Sequence, residues 1–558
     1  MSESMTGARY IARLFSAYGV THVFFMDAVL RRALAEMEDF GITRVLGHTE
    51  KSVAYMADGY ARIAGRPGIC MAQSVGAANL AAGLQDAYLG HSPVIALTGR
   101  HVAAMQYRNS YQEVEHGPLF APVTKSSARV DVLEQLPHLI RQAFRAATSG
   151  TPRPVHLDVA GNTGDALTAQ TCDFPVEADP AHLACPAFRP APDPEALARA
   201  VRAIAESSRP VIVADRGVIT SGAEQALRLF AERIQAPVVA TLDAKAALPE
   251  SHPLFRGLAG SYGRSCANHV IDEADLVIYA GSDTSDHTTA NFRMPRPGTP
   301  IVQIDLDPEE LGRNYPCTIG LLCDVRSGLA ALAAGTPSGS RRSWLGQTLA
   351  HVEAWRDEWE PLRRADQIPM RPERLCAALT EVLPEDAILV ADTGYAALWS
   401  GNLVDFRHPG QQYIRAAGSL GWSFPAALGA QFAAPGRTVV CFTGDGGFSY
   451  HLPELETARR WGLKTITIVN NNHCLSQGVR NLGLAYGTRP QDRMHECFLY
   501  RETDFAKIAQ SFDCFGITVE DPRDFARAFA AARASNLPAV IDVKTEFAYQ
   551  ARTPWVPT

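Results

Sequence analysis

Short apolar, β-branched runs alternate with amphipathic stretches along the whole sequence. "GICMAQS", "SPVIALTG", "RPVIVAD", "TVVCFTG" and "KTITIVN" each read as a buried strand, and "EKSVAYMADGYARIAG" reads as a helix. A strand, a helix and a second strand in succession make a parallel pair with a right-handed crossover. Repeated along the chain, that unit predicts an α/β fold with three doubly wound parallel-sheet domains. Breaker-rich segments mark the boundaries. An N-terminal domain is expected over 1–165, a central domain over 190–335 and a C-terminal domain over 370–550. The connections are "CPAFRPAPDPEAL" and the polar hinge "GTPSGSRRS". The first and third domains share size and strand–helix rhythm, which suggests related sheets.

The totals narrow the partners. The net charge of −7 argues against a nucleic-acid surface. No run approaches the ~18 apolar residues of a membrane span. The first residues, "MSESMTGARYIARLF", lack the order of a signal peptide. The eleven cysteines are scattered without a CxxC pair, which fits reduced thiols in a cytoplasmic protein.

The segment from Gly444 to Asn472, "GDGGFSYHLPELETARRWGLKTITIVNNN", concentrates the chemistry. It reads as one βαβ unit, so Asp445 and the asparagine run fall on the same carboxyl edge of a sheet. Neighbouring strands lie about 4.8 Å apart, so one ion can reach both ends. A carboxylate, a side-chain amide and a backbone carbonyl are hard oxygen donors, suited to Mg²⁺ with phosphate and water completing the shell. Gly444, Gly446 and Gly447 let backbone N–H groups approach phosphate oxygens. The plainer alternative is an Asp turn and an Asn loop that only cap elements.

GDG followed by NN one crossover later resembles the signature of thiamine diphosphate enzymes. The match extends over the chain. "GHTEKSVAYMADGYARIAG" places Glu50 nine residues before the Gly of "GYAR". "QSVGAANLAAGLQDAYLGHSPVIALTGR" and "YQEVEHGPLFAPVTK" resemble further segments of the N-terminal domain, and "ADTGYAALW" and "GSLGWSFPAALGA" resemble segments of the C-terminal domain. The resemblance implies thiamine diphosphate with Mg²⁺ held by Asp445, Asn472 and the carbonyl of Cys474. It implies Glu50 as the catalytic carboxyl against the cofactor's aminopyrimidine. Gly76, Thr393, Gly394, Tyr395, Gly418, Leu420 and Leu475 are implied around the cofactor, with Leu420 as the bulky residue between its rings. Met26, Asp27, Val75, Gln112, His116, Phe120, Lys125, His473, Ser476 and Gln477 are implied on the substrate side. Val75 stands where the family has proline, and Met26–Asp27 replace its usual "GxPG" turn. His48, His91, His116 and His473 are candidates for proton transfer.

The middle of the chain resembles the central domain of acetolactate synthase. "GSDTSDHTT" lacks that family's arginine and "VADRGVITSGA" lacks its glycine run, which argues against FAD or ADP there. The resemblance implies a small carbonyl substrate and a homodimer or homotetramer with active sites between subunits. A 2-oxo acid donor would be decarboxylated to an enamine that is protonated or transferred to a second carbonyl. "NNNHCLSQG" also resembles 2-hydroxyacyl-CoA lyases, so a lyase of that or of benzaldehyde lyase type stays open, as does a non-catalytic regulatory relative.

Overall fold

The computed structural model describes residues 4–316 and 318–558. Three six-stranded parallel sheets carry the chain. The first runs in the order Thr43–Leu46, His22–Phe25, Gly68–Ala72, Val94–Arg100, Val155–Ala160, Ser126–Val130. The last runs Gln412–Arg415, Ile388–Ala391, Val439–Gly444, Ile466–Asn471, Ala539–Lys544, Phe515–Val519. Numbered by their own chain order, both read 2-1-3-4-6-5, so the shared rhythm of the two segments reflects one topology used twice. The central sheet differs. Its order is Phe255–Leu258, Val238–Ala240, Pro210–Ala214, Leu276–Ala280, Ile301–Asp305, Thr318–Leu322, or 3-2-1-4-5-6. That is the order of a dinucleotide-binding sheet.

The inner strands, such as Gly68–Ala72, Val94–Arg100, Pro210–Ala214 and Ile466–Asn471, are buried along their length, as parallel sheets covered on both faces require, while edge strands such as Ser126–Val130 and Phe515–Val519 are partly exposed. Between the central and C-terminal sheets, the 22-residue helix Arg342–Arg363 spans a stretch left unassigned by sequence patterning. The ten described cysteines are all free. Among the described residues, no helix is long and apolar enough to cross a membrane.

The chain forms two compact units. The first comprises Met1–Phe188, Ala416–Val439 and Gly447–Thr465. The second comprises Arg189–Arg415, Val440–Gly446 and Ile466–Thr558.

Within the first unit, helix Glu50–Ala64 crosses helix Ser423–Ala433 at glycines. A Cβ on Gly59 would overlap the Ala426 carbonyl, and one on Gly429 would overlap the Met56 carbonyl. Backbone therefore lies directly on backbone. This crossing fixes the start of the first helix, where Glu50 stands. Gly429→Ala should force the helices apart and cost about 1–3 kcal/mol, the range for overpacking a closed contact. Urea unfolding followed by circular dichroism measures this, and an unchanged midpoint would show that the crossing is not tight.

Candidate active site

In the second unit, strands Val439–Gly444 and Ile466–Asn471 are parallel neighbours, with Gly444 opposite Asn470. Both strands end at the carboxyl edge, so Asp445 and Asn472 leave the sheet side by side. Asp445 is 4% exposed, and its Oδ2 accepts the Cys474 N–H at 3.0 Å. Burial pushes its carboxyl up to about 6, against the pull of backbone N–H groups of Gly446 and Cys474. Asn472 is buried and donates Nδ2 to Ser476 Oγ at 2.7 Å, which leaves its Oδ1 as a free-standing acceptor face. Ser476 Oγ also reaches the Cys474 carbonyl at 3.4 Å. The Asp445 carboxylate at the end of one strand is thus bonded to the loop after the next strand, which carries the Asn472 amide oxygen and the Cys474 carbonyl. This all-oxygen donor set around a buried acid fits a hard divalent cation.

Glycines shape the same edge. A Cβ on Gly446 would stand 2.7 Å from Leu475 Cδ2 and 3.2 Å from Tyr500 Cε2. Gly394 has φ +67° and precedes helix Tyr395–Leu403, and a Cβ there would meet Gln477 Oε1 at 2.6 Å. Gly444 is open, with nothing within 4 Å of an added Cβ. Thr393 N–H donates to Asp392 Oδ1 at 2.8 Å, and Tyr395 Oη reaches Gln550 Oε1 at 3.0 Å. Gln477 donates Nε2 to Tyr262 Oη. His473 adopts φ +54°, and its Nδ1 is buried without a hydrogen-bond partner. The polar segment 489–504, ambiguous in sequence, closes back on this loop. Leu499 bridges Cys474, and Tyr500 N–H donates to the His473 carbonyl at 2.7 Å.

The crossover between these strands differs from one continuous helix. It is two helices, Asp445–Ser449 and Glu454–Arg460. Pro453 sits at the start of the second, where its missing N–H does no harm. From Gly447 to Thr465 the crossover belongs to the first unit.

The first unit holds the remaining residues expected around a cofactor. Glu50 opens its helix behind the N-cap Thr49, whose side chain accepts the Ser52 N–H at 3.0 Å. Glu50 Oε2 accepts from Asn79 Nδ2 at 3.2 Å. Gly76 is buried beneath it, and a Cβ there would stand 2.5 Å from Glu50 Oε1. Glycine is thus what lets this carboxyl lie over the loop. Val75 beside it is 47% exposed. Ser74 Oγ donates to the carbonyl of Gln112, which sits at φ +63°. Met26 is half-buried, and exposed Asp27 pairs with Arg31.

Gly418 and Leu420 lie on a loop that sequence reasoning left unsupported. Asp86 supports it. Its Oδ1 accepts the Ala417 N–H at 2.9 Å, and its Oδ2 accepts those of Gly418 and Ser419 at 3.2 and 2.9 Å. Arg62 bridges Asp86 and Asp58, and Asp58 Oδ2 accepts from Trp422 Nε1 at 2.8 Å. Burial pushes the Asp86 carboxyl up despite Arg62. The available signal was Asp86, the one charged residue of helix Ala77–Leu89, since buried carboxylates need partners.

Four expected residues stand elsewhere. Lys125 precedes strand Ser126–Val130 and so lies at the amino edge, opposite the site. Its Nζ donates to the Ser149 and Thr151 carbonyls at 2.5 and 3.0 Å. Phe120 is a core ring stacked on His156, centroids 3.6 Å apart. His116 is 1% exposed, with Nε2 on the Ser74 carbonyl at 2.9 Å and Nδ1 on Asp158 Oδ1 at 3.0 Å. It therefore ties the Ser74 loop to the sheet rather than facing a substrate. His48 is bound to Glu456, Nε2 to Oε2 2.8 Å.

The central sheet has its topological switch point between Pro210–Ala214 and Leu276–Ala280. Asp215 fills it, accepting from Thr241 Oγ1 at 2.5 Å and Ser282 Oγ at 2.7 Å. Burial pushes its carboxyl up to about 6, with Asp283 adding to the effect. Gly217 and Gly281 close the crevice, since a Cβ on Gly217 would lie 2.5 Å from the Gly281 Cα. Arg216 lies among these acids and donates Nη2 to Asp243 Oδ2 at 2.7 Å.

Comparison with known proteins agrees with this architecture. Residues 5–119 match the N-terminal TPP binding domain of thiamine pyrophosphate enzymes, 197–332 their central domain and 392–543 their C-terminal TPP binding domain. The chain is 32% identical to the probable acetolactate synthase large subunit of Methanocaldococcus jannaschii, over 97% of this chain and 92% of that protein. It is 32% identical to the acetolactate synthase isozyme 1 large subunit of Escherichia coli K12, over 87% and 84% of the two chains. The acetolactate synthase large subunit of Corynebacterium glutamicum is 30% identical over 97% and 87%. The chain therefore belongs to the thiamine pyrophosphate enzymes.

Proposed function

We propose that this enzyme uses thiamine diphosphate and Mg²⁺ to cleave and form carbon–carbon bonds next to a carbonyl, in the manner of acetolactate synthase, with a 2-oxo acid as donor. The observation that carries the reading is the bond from the Asp445 carboxylate to the loop that carries Asn472 and the Cys474 carbonyl. The names of near-full-length relatives supply the reaction class.

When bound, thiamine diphosphate supplies a carbon nucleophile and an electron sink for the bond beside the carbonyl. Asp445, Asn472 and the Cys474 carbonyl hold the cation. Backbone N–H groups of Gly446 and Gly447, with the Thr393–Tyr395 turn, receive the diphosphate. Leu420 and Leu475 give apolar contact, and Gly418 leaves room beside it. Glu50 holds a proton at its carboxyl and shares it with the aminopyrimidine, oriented by Asn79 and by the Thr49 cap. By the resemblance, Val75, Gln112, Met26 and Asp27 of the first unit and His473, Ser476 and Gln477 of the second are assigned to the substrate side. His473 is the better candidate for moving a proton, because its Nδ1 has no protein partner. The central domain holds no dinucleotide in this reading.

Trp555 N–H donates to Ser265 Oγ at 2.9 Å, and its carbonyl accepts from Asn268 Nδ2 at 2.9 Å, so this segment packs on the central domain. By the resemblance, the active enzyme is a cytoplasmic homodimer or homotetramer.

Glu50→Gln should leave circular dichroism unchanged and lower kcat by about 10²–10⁴, the range of general acid–base catalysis. Full cofactor-dependent activity in that variant would remove Glu50 from the mechanism. Dialysis against EDTA should abolish activity, and Mg²⁺ with thiamine diphosphate should restore it in the native protein but not in Asp445→Asn. Restoration in the variant would move the metal elsewhere. Incubation with single and paired 2-oxo acids should release CO₂ and yield a 2-hydroxy-ketone or acid by mass spectrometry. Turnover confined to 2-hydroxyacyl-CoA esters would instead establish the lyase reading.

A further inference from the structure

Among the described residues and away from the candidate cofactor residues, one group of ligand-type side chains is open to solvent. His269 and Glu273 lie one turn apart on helix Ser265–Glu273 and so share a face. His351 comes from the adjoining helix Arg342–Arg363. One donor atom from each of the three lies within 4.8 Å of the others. His351 Nε2 is 3.1 Å from Glu273 Oε1, and the His269 and His351 rings are nearly parallel with centroids 4.8 Å apart. The His351 and Glu273 side chains are 26% and 24% exposed, so the group is both held and reachable.

The surroundings support ligation. Gln347, one turn before His351, donates Nε2 to Glu273 Oε2 at 2.7 Å. It fixes the carboxylate by the oxygen that does not face His351, as outer-shell partners of metal carboxylates do. The nearby cation Arg296 is taken by Asp272. Glu273 is paired with His351 rather than with an arginine or lysine. On its far face His269 stacks on Trp555, centroids 3.7 Å apart.

We propose that His269, Glu273 and His351 form a second metal site, specific for a borderline transition cation of the Zn²⁺ class and separate from the Mg²⁺ donors. Two imidazole nitrogens and one carboxylate oxygen suit Zn²⁺, Co²⁺ or Ni²⁺, whereas Mg²⁺ requires oxygen ligands. Tetrahedral Zn–N bonds of about 2.0–2.1 Å bring donors to about 3.4 Å, so modest side-chain rotations close the set. A bound ion would clamp helix Ser265–Glu273 to Arg342–Arg363, and through the His269–Trp555 stack it would stiffen the seat of the tail.

The test uses the full-length enzyme, stripped with EDTA and returned to buffer with Mg²⁺ and thiamine diphosphate. Titration with Co²⁺, followed by visible d–d absorption, should saturate at one equivalent per chain. Zn²⁺ should displace the signal and excess Mg²⁺ should not. His269→Gln and His351→Gln should each weaken binding by more than Gln347→Leu, for which about 10-fold is expected from loss of an outer-shell partner. Activity of the His269→Gln variant reports that it has folded. Absence of saturable binding overturns the proposal, and so does a one-equivalent signal that survives both histidine substitutions.

Discussion

The candidate site depends on one parallel pairing. With Gly444 opposite Asn470, two strands run out of the sheet at the same level. The residues that follow have no further ladder to join, so their backbone and side-chain oxygens turn toward the edge. Asp445 is buried there, accepting backbone N–H groups of Gly446 and Cys474, and burial raises its carboxyl to about 6. A buried acid is unfavourable to ionise, and a divalent ion would offset that penalty. Slipping the register by one residue would exchange the faces of every side chain on the strand, so core packing and the cation site are specified together.

The first unit meets a different problem, a carboxyl that must lie over a loop. The solution is steric. Gly76 omits the side chain that Glu50 would strike, and Gly59 and Gly429 bring the helix that carries Glu50 onto its neighbour. Asp58, Arg62 and Asp86 then anchor the Ala417–Trp422 loop with buried, mutually compensating charge. Removing one member would strand the others in an apolar setting, which is worse than never having buried them. His116 acts similarly on the Ser74 loop, with both ring nitrogens satisfied by protein.

Much of this was legible because it is local. Strand–helix alternation and glycine-bounded turns declare themselves within a dozen residues, and the spacing from Asp445 to Asn472 is set by one crossover. Long-range pairing was not legible. "VHLDV" reads as an apolar strand, and nothing in it announces that Asp158 meets His116 from "EVEHG". Asp58 and Asp86 look like ordinary helical acids until tertiary contact buries them. Lys125 was misread because its motif borders a strand, and only the strand's direction shows that it stands at the amino edge. The helix Arg342–Arg363 carried a readable signal that was passed over, since its buried Trp344, Thr348, Val352, Trp355 and Trp359 recur at helical spacing.

The central sheet shows how a fold persists while its crevice changes use. Its strand order is that of a dinucleotide binder, yet Asp215 and the Gly217–Gly281 contact occupy the switch point. Its outer loops instead reach the C-terminal sheet. Asp243 forms a two-point ion pair with Arg415, at 2.9 and 3.0 Å, where the last strand of that neighbouring edge ends. Tyr262 accepts from Gln477 through its hydroxyl and from Asn402 Nδ2 through its carbonyl at 2.7 Å. Gln477 in turn borders Gly394. The central domain thus supports, through one tyrosine, the loop after the candidate donors Asn472 and Cys474. Function here resides in grafted contacts rather than in the fold that carries them.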